Sequence, residues 1–450
     1  MFAAPGFFNA GIVDTANQTV HQFSQELRIA SPAGQFVEYT GGLYYFRSET
    51  DRTFTRTTSE CVSSTLPVDP VIGFAPCNIG AAAFDNKFAT ADFEAITKNF
   101  AIFGQATVNV LDDLRLMIGG RFTSDDVDYD FRRFSSIDGT SEELALTGGD
   151  PNVVAVFGPG IRTRFTRSDS VDNTNFSFKA GIQYDVLPNI MTYFSYTQGY
   201  KGPAFNLFFN FRPGTTNAID AETADAFEAG VKSSLFGDRL VLNLAGYFAE
   251  YDNFQANNFV NDAGITTTSL TNAGVVTTAG FEMDFIARPL TNVSLFGGLA
   301  YTDAKVKKFF ILQPNPTPEQ ITAAQANEGT PLPFAPDWKL NIAAEYVFDL
   351  AQVPFDIILN SQYNYQTEVL SNIFVQDVEN SIFRIDGYGI WNASIRFQTK
   401  EEDYSLAFHV KNILDTSYLT TVSGGFGAGA RIQVPRDADR YWGLSLRARF

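Results

Sequence analysis

The C-terminal stretch Arg440-Tyr-Trp-Gly-Leu-Ser-Leu-Arg-Ala-Arg-Phe450 alternates between two kinds of side chain. The apolar set consists of Trp442, Leu444, Leu446, Ala448 and Phe450. The residues between them include a tyrosine, a serine and two arginines. Because successive side chains of a β-strand point to opposite faces, one face of this strand suits lipid and the other suits water. A soluble edge strand would alternate in the same way, so the number of such segments decides between the two.

The composition of the 450-residue chain is that of a membrane β-barrel. Hydrophobic residues make up 45% and aromatic residues 14%, with 44 phenylalanines. The mean hydropathy is nevertheless only −0.07, because lipid-facing and water-facing positions cancel along each strand. No apolar run reaches the roughly 18 residues that mark a membrane helix. The formal net charge of −18 argues against nucleic-acid binding through a basic surface.

Alternating segments of about ten residues, the length of a tilted spanning strand, recur along the whole chain. We count about fifteen, and the connections between them are short and long in turn. The long connections are 47–92, 130–174, 201–226, 252–278, 304–337, 366–389 and 412–439. Short turns at one end and long loops at the other are typical of outer-membrane barrels. The sequence therefore predicts an all-β, transmembrane antiparallel β-barrel with 15–16 strands.

The two faces can be assigned where one alternate set is uniformly apolar. In segment 175–186, Phe176 and Ile182 belong to the apolar set, whereas Lys179 and Gln183 belong to the other. Segments 114–129, 338–348 and 390–398 show the same separation. A face that carries Lys, Arg, Asn and Gln predicts a water-filled lumen rather than a packed core.

The strand order bears on domain organisation. The first strand, 20–29, and the last strand both run from a long connection towards the short-turn side. Two such strands cannot close an antiparallel barrel, and bacterial barrels normally have an even number of strands. We therefore predict the C-terminal part of a longer barrel, with residues 1–18 as an extracellular leader or partial strand and residues 19–450 as the barrel. Residues 2–13 could instead supply an extra strand, which Pro5 and Gly6 disfavour.

Few residues offer catalytic or metal chemistry. The only histidines are His21 and His409, and His409 shares its predicted face with Ser405 and Lys411. A Ser/His pair could serve a hydrolase, but a lumen histidine that is hydrogen-bonded to its neighbours is the simpler interpretation. The sequence has no phosphate-binding glycine motif between a strand and a helix, and no His/Cys cluster with metal spacing. We predict no enzyme activity, no cofactor and no metal site.

Cys61 and Cys77 are the only cysteines and lie in one Pro/Gly-rich connection. In an oxidising compartment a disulfide between them would stabilise the fold by roughly 3 kcal/mol in the loop-entropy model. Two unpaired thiols are the alternative.

Tyr196, Tyr200 and Lys201 are candidate ligand contacts, because their segment leads into a long connection. The alternative is that these residues form an aromatic girdle at a membrane interface, where the strand ends.

Seven stretches resemble the barrel of TonB-dependent outer-membrane receptors, in the order that this family has them. They are Gln22-Phe-Ser-Gln-Glu-Leu-Arg-Ile-Ala-Ser-Pro32, Tyr193-Phe-Ser-Tyr-Thr-Gln-Gly-Tyr-Lys-Gly-Pro-Ala-Phe-Asn206, Phe227-Glu-Ala-Gly-Val-Lys232, Asn272-Ala-Gly274 with Gly280-Phe-Glu282, Pro333-Phe-Ala-Pro-Asp-Trp338, Lys411-Asn-Ile-Leu-Asp415 with Tyr418, and the terminal strand. The resemblance implies a 22-stranded barrel filled by an N-terminal plug, of which this chain resembles the last fifteen strands. No segment here is similar to the plug or to the energy-coupling box that precedes it.

The resemblance also implies a function and partners. The protein would lie in the outer membrane of a Gram-negative bacterium and take up a ferric siderophore or a similar scarce ligand, with energy from the TonB complex. Its other partners would be outer-membrane lipid and the barrel assembly machinery. The terminal membrane-insertion signal would comprise Trp442, Leu444, Leu446 and Phe450. The alternative function is a passive, porin-like diffusion channel, since a wet lumen without a plug would conduct.

Overall fold

The computed structural model describes most of the chain as β-strands. The described residues are 8–61, 84–137, 164–209, 211, 218–262, 265–309, 318–326, 328–371, 382–424, 430–435 and 438–449. In chain order the strands are β1 (Phe8–Ala30), β2 (Val37–Cys61), β3 (Phe84–Asn109), β4 (Leu114–Ile137), β5 (Phe165–Leu187), β6 (Ile190–Lys201), β7 (Glu222–Leu235), β8 (Leu240–Asp252), β9 (Gln255–Asp262), β10 (Ile265–Asn272), β11 (Gly274–Leu290), β12 (Val293–Phe309), β13 (Trp338–Phe348), β14 (Phe355–Gln366), β15 (Val369–Leu370), β16 (Arg384–Ile385), β17 (Tyr388–Thr399), β18 (Tyr404–Lys411), β19 (Thr421–Gly424), β20 (Ala430–Gln433) and β21 (Tyr441–Ala448).

Fifteen of these strands form one antiparallel sheet in which each strand pairs with its neighbours in the chain, apart from three small hairpins. The order is β1-β2-β3-β4-β5-β6-β7-β8-β11-β12-β13-β14-β17-β18-β21. The hairpins β9–β10, β15–β16 and β19–β20 lie within long connections. The predicted all-β class and the count of about fifteen strands are confirmed. One helix is described, α1 (Pro318–Gln325), and no helix in the described ranges is long and apolar enough to cross a membrane.

The register between β18 and β21 confirms the alternation predicted for the end of the chain. Phe408 pairs with Leu444, and the adjacent pair joins His409 to Gly443. The apolar side chains of this face point outward, with Leu444 exposed at 70% and Leu446 at 79%. Phe450, the last residue of the predicted insertion signal, lies outside the described residues. We call the side that carries the exposed apolar sets the outer face and the opposite side the inner face.

β1 to β5 are longer than the predicted strands, and the difference corrects the predicted loops. They contain 23–26 residues, whereas a spanning strand needs about ten. β1 begins at Phe8 rather than at residue 20, and β2 to β5 extend into the predicted connections 47–92 and 130–174. Their backbone pairing continues there without an apolar outer face; Thr53 of β2, for example, donates from its hydroxyl to Asp92 of β3. We call these extensions of β1 to β5 beyond the spanning segments the extended wall, at the long-loop end of the sheet.

Candidate ligand site at the long-loop end

The connection between β6 and β7 turns back along the inner face of the sheet. We call its residues 205–211, of which 205–209 and 211 are described, the inner loop. Its base is held by side-chain amides from the neighbouring connection. Gln255 donates from Nε2 to the carbonyl oxygens of Gly202 at 2.9 Å and Asp220 at 3.0 Å. Asn272 donates from Nδ2 to the same Asp220 carbonyl at 2.9 Å. These bonds fix where the inner loop leaves and rejoins the sheet.

The inner loop packs against the extended wall in an aromatic cluster. The buried residues are Phe54, Ala89, Ala91, Phe93, Tyr129, Phe131, Phe209 and Phe211, with Phe165, Phe205, Leu207 and Phe208 packed against them. The wall residues alternate out of phase with outer-face residues such as Leu43, Ile102 and Phe122, and no register shift intervenes in β2, β3 or β4. The cluster therefore lies on the inner face, where a ligand entering from the long-loop end would meet it.

Two arginines of the extended wall stabilise the packing of the inner loop. Arg56 of β2 binds both carboxylate oxygens of Asp14 in β1 at 2.7 Å, and its guanidinium carbon lies 5.2 Å from the Phe209 ring centroid. Arg133 of β4 is fully buried and donates from Nη1 to the carbonyl oxygens of Phe209 at 2.7 Å and Phe211 at 2.9 Å. The bidentate ion pair joins β1 to β2 within the wall. Two charge-assisted hydrogen bonds from Arg133 and the contact of Arg56 with the Phe209 ring fasten the inner loop to that wall.

A third arginine, Arg52, has a different environment. Its guanidinium carbon lies 5.9 Å from the ring centroid of Phe54, 5.8 Å from that of Phe93 and 6.0 Å from that of Phe208. Its Nε is buried and has no hydrogen-bond partner within the described ranges. The rings of Phe54 and Phe208 are themselves in contact, with centroids 5.5 Å apart. Arg52 is therefore surrounded by aromatic faces, which attract a cation.

The structure separates the three candidate ligand residues of the sequence. Tyr196 lies on the outer face, where its ring packs 5.1 Å from Phe178 and 4.9 Å from Phe227. Tyr200 turns inward, and its hydroxyl donates to Asp125 at 2.7 Å. Lys201 is half exposed and lies 3.9 Å from Glu222. Tyr200 and Lys201 lie at the end of β6, from which the chain leads into the inner loop, and the role of all three residues in binding stays a prediction.

Burial also changes the ionisation of a tyrosine in the cluster. Desolvation raises the pKa of Tyr129, whose ring lies 4.6 Å from that of Phe205 and 5.4 Å from that of Phe211. Nearby, a hydrogen bond from Arg167 lowers the pKa of Asp169. Tyr129 is therefore a neutral hydroxyl, and Asp169 is a carboxylate, at neutral pH.

His409 lies far along the sheet from this cluster, on the inner face. It lines a cavity of about 500 Å³ together with Asn360, Arg396 and Lys411. Ser405 is on the same face of β18 but pairs with Gln398, whereas His409 pairs with Ser394. The described ranges contain no group of three His, Cys, Asp or Glu side chains placed to hold a metal ion. Cys77 and the side chain of Cys61, the predicted disulfide partners, lie outside the described residues.

The aromatic cluster was not predicted from the sequence, although one signal for it exists. Residues 205–211 read Phe-Asn-Leu-Phe-Phe-Asn-Phe, which is an apolar run without strand alternation inside a predicted loop. A loop of that composition needs a hydrophobic surface to cover it. The arginines gave no such signal, since nothing local distinguishes Arg52, Arg56 and Arg133 from other charged residues of the strands.

Solved structures share this architecture at low sequence identity. The ferric yersiniabactin uptake receptor FyuA from Yersinia pestis has a TM-score of 0.71 and 16% identity, over 99% of this chain and 56% of that one. The siderophore receptor PiuA from Acinetobacter baumannii has a TM-score of 0.58 and 12% identity, over 96% and 64%. The ferric-catecholate import receptor Fiu from E. coli K12, in its closed form, has a TM-score of 0.56 and 15% identity, over 98% and 62%.

This chain therefore spans between 56% and 64% of the length of these three proteins. At such identities the likeness establishes a shared fold. The family model for the TonB dependent receptor-like β-barrel matches residues 4–413, which is most of the chain. That family consists of outer-membrane receptors and transporters rather than enzymes. With its fifteen antiparallel strands and apolar outer face, the chain belongs to the TonB-dependent receptor family and forms the β-barrel part of that fold.

Proposed function

We propose that this chain supplies the barrel wall of an outer-membrane receptor that captures a scarce ligand outside the cell and takes it up with energy from the TonB complex. The long-loop end faces the exterior, because long loops are extracellular in such barrels. The observation that carries the proposal is the cluster at the entrance, in which aromatic rings of the inner loop meet rings and arginines of the extended wall on the inner face. Aromatic rings and guanidinium groups are suited to binding large ligands that combine apolar and charged surfaces.

We infer that the ligand is a ferric siderophore or a similar metal complex. The structures of FyuA and Fiu are described as those of a ferric yersiniabactin uptake receptor and a ferric-catecholate import receptor, which supports this class. Lys201 and Tyr200, at the end of β6, would add a charge and a hydroxyl to the same entrance.

The test is uptake by the bacterium that makes the protein. A strain deleted for the gene and the same strain carrying it on a plasmid are starved of iron and given radiolabelled ferric siderophores. We expect plasmid-dependent uptake that stops when a protonophore collapses the proton-motive force. Uptake that continues unchanged under the protonophore, together with a steady ohmic current in planar bilayers, would instead establish a passive channel.

We further propose that the outer face contacts outer-membrane lipid and that the terminal strand is read by the barrel assembly machinery. Trp442 and Leu444 lie on the outer face of β21, and Trp442 stacks on Phe408 at a centroid distance of 5.4 Å. Leu444→Asp should reduce the amount of protein assembled in the outer membrane, whereas Ser445→Asp on the inner face should not. Equal amounts of the two variants in purified outer membranes would contradict this assignment.

A further inference from the structure

We propose that Arg52 and the rings around it form a site for an aromatic anion, and that Phe208 of the inner loop occupies the place of the ligand ring when the site is empty. This inference rests on the proposed function and specifies the chemistry of its ligand. It gives separate roles to two neighbouring residues of the aromatic cluster. Arg52 receives the negative charge, and Phe208 is the ring that a ligand displaces.

The first argument is that Arg52 alone among the arginines of the cluster has no oxygen partner. Arg56 is neutralised by Asp14, and Arg133 donates to two carbonyl oxygens. The Arg52 guanidinium lies near three rings, and its Nε donates to no acceptor in the described part of the chain. Its partners across the sheet, Gln18 in β1 and Phe93 in β3, are uncharged. A guanidinium that is partly desolvated and lacks a counter-charge attracts an anion strongly.

The second argument concerns how the rings are held. Phe54 and Phe93 belong to the extended wall, whose backbone pairs on both sides. Phe208 comes from the inner loop and is only partly buried, whereas Phe209 and Phe211 beside it are almost fully buried. Phe208 can therefore leave the guanidinium while its two neighbours stay packed. A ligand ring that replaced it would recover the same contacts with Arg52 and Phe54.

The two arguments together define the ligand. A simple inorganic anion would pair with Arg52 but could not replace the contacts that the Phe208 ring makes with Arg52 and Phe54. An uncharged aromatic molecule would fill that space without supplying the missing acceptor. An aromatic ring that carries a carboxylate or phenolate oxygen satisfies both requirements, because the guanidinium can donate hydrogen bonds in its plane while its faces contact rings.

The experiment measures binding to the purified full chain in detergent by equilibrium dialysis. The probe is the ferric tris-catecholate complex of 2,3-dihydroxybenzoate, which is a polyanion with aromatic rings. We expect Arg52→Gln to weaken its binding by about tenfold or more. The matched control is Arg47→Gln on the same strand, where Arg47 lies on the outer face and pairs with Glu49 at 2.6 Å. That variant should change the affinity by less than about twofold.

Two further measurements test the site even if the Arg52→Gln variant does not fold. Phe208→Ala should tighten binding of the probe by about threefold or more, because the competing ring is removed. Binding to the unaltered protein should weaken as salt is raised, since the contact is between charges. A neutral ferric trihydroxamate should show no such dependence.

The proposal is overturned if Arg52→Gln and Arg47→Gln bind the probe equally, if Phe208→Ala weakens binding, or if neither the unaltered protein nor Phe208→Ala binds it. Uptake assays distinguish failure of the proposed anion site from failure of the proposed transport function. Energy-dependent uptake that is equal in the Arg52→Gln strain contradicts the anion site alone. Arg52-dependent binding without any energy-dependent uptake contradicts the transport function alone.

Discussion

Arg133 in β4 donates from Nη1 to the carbonyl oxygen of Phe209, 2.7 Å away and 76 residues later in the chain. The same nitrogen reaches the carbonyl oxygen of Phe211. A buried charged donor on two backbone acceptors holds the inner loop at a fixed depth in the entrance. The position of the inner loop therefore depends on Arg133 as well as on the packing of its rings against the extended wall.

Replacing Arg133 should release the inner loop while leaving the spanning strands intact. Each hydrogen bond from a charged donor contributes about 1.5–3 kcal/mol, so Arg133→Gln should favour the open loop. We expect faster hydrogen exchange at residues 205–211 and an unchanged exchange rate in β13 and β14. Arg132→Gln, at the adjacent exposed position, is the control. Identical exchange at 205–211 in the two variants would contradict the role given to Arg133.

Replacing Asn412, which directly follows β18, should strongly destabilise the fold. It is 2% exposed and has a φ of +50°, a conformation that asparagine tolerates better than most residues. Its Nδ2 donates to the carbonyl oxygens of Thr416 and Ala438, and its Oδ1 accepts from the Thr416 amide. Asn412→Ala should cost about 2 kcal/mol or more. The temperature at which the barrel loses its folded electrophoretic mobility should fall, and Asn341→Ala on the exposed inner face should leave it unchanged.

Two glycines in adjacent strands should differ in how much stability is lost when each is replaced by alanine. A β-carbon at Gly280 in β11 would lie 2.0 Å from the carbonyl oxygen of Tyr301, which is backbone and cannot move aside. At Gly246 in β8 the nearest atom would be 3.8 Å away, an ordinary contact. Gly280→Ala should therefore destabilise the sheet by about 1–3 kcal/mol, and Gly246→Ala should be neutral. Thermal unfolding of both variants checks this, and equal midpoints would exclude the crowding at Gly280.

The ionisation of Tyr129 supplies a test that depends on pH. Burial raises its pKa above the ordinary tyrosine value of about 10. Since the folded-state pKa is the higher one, the stabilising contribution of the neutral hydroxyl is complete below about pH 10 and is lost as the pH rises through the folded-state pKa. The ultraviolet titration of the unaltered protein minus that of Tyr129→Phe should show one tyrosine with a midpoint above 10. A midpoint at or below 10 would mean that the cluster is open to water.

The spanning strands could be predicted from the sequence because their signal is local. Leu444 and Phe408 are apolar at alternate positions of two strands, and the structure pairs them directly. The lipid requirement imposes that pattern on each strand separately, so it can be read without any knowledge of partners. The seven motifs in family order indicated the TonB-dependent receptor family, and the family model over residues 4–413 confirmed that family.

The extended wall and the inner loop could not be predicted for a physical reason. Beyond the spanning segments no lipid selects an apolar outer face, so charged residues such as Asp130 and Arg132 conceal the continuation of β4. The inner loop depends on contacts between residues distant in the chain, of which Arg133 with Phe209 is one. Tyr196 and Tyr200 of β6 illustrate the limit. The ring of Tyr196 packs on Phe227 on the outer face, whereas the hydroxyl of Tyr200, four residues later, donates to Asp125 of the inner face.

The most direct test of a lipid-facing barrel wall is to measure whether each residue of one spanning strand is exposed to lipid or to water. Single spin labels are placed along β13 from residue 339 to residue 346 of a protein lacking Cys61 and Cys77, in lipid vesicles. Leu340, Ile342 and Ala344 belong to the outer set, and Lys339, Asn341 and Ala343 belong to the inner set. We predict that relaxation by oxygen and by a water-soluble nickel complex alternates with a period of two, oxygen dominating at the outer set and nickel at the inner set. Equal access of the nickel complex to both sets would contradict a lipid-facing barrel wall.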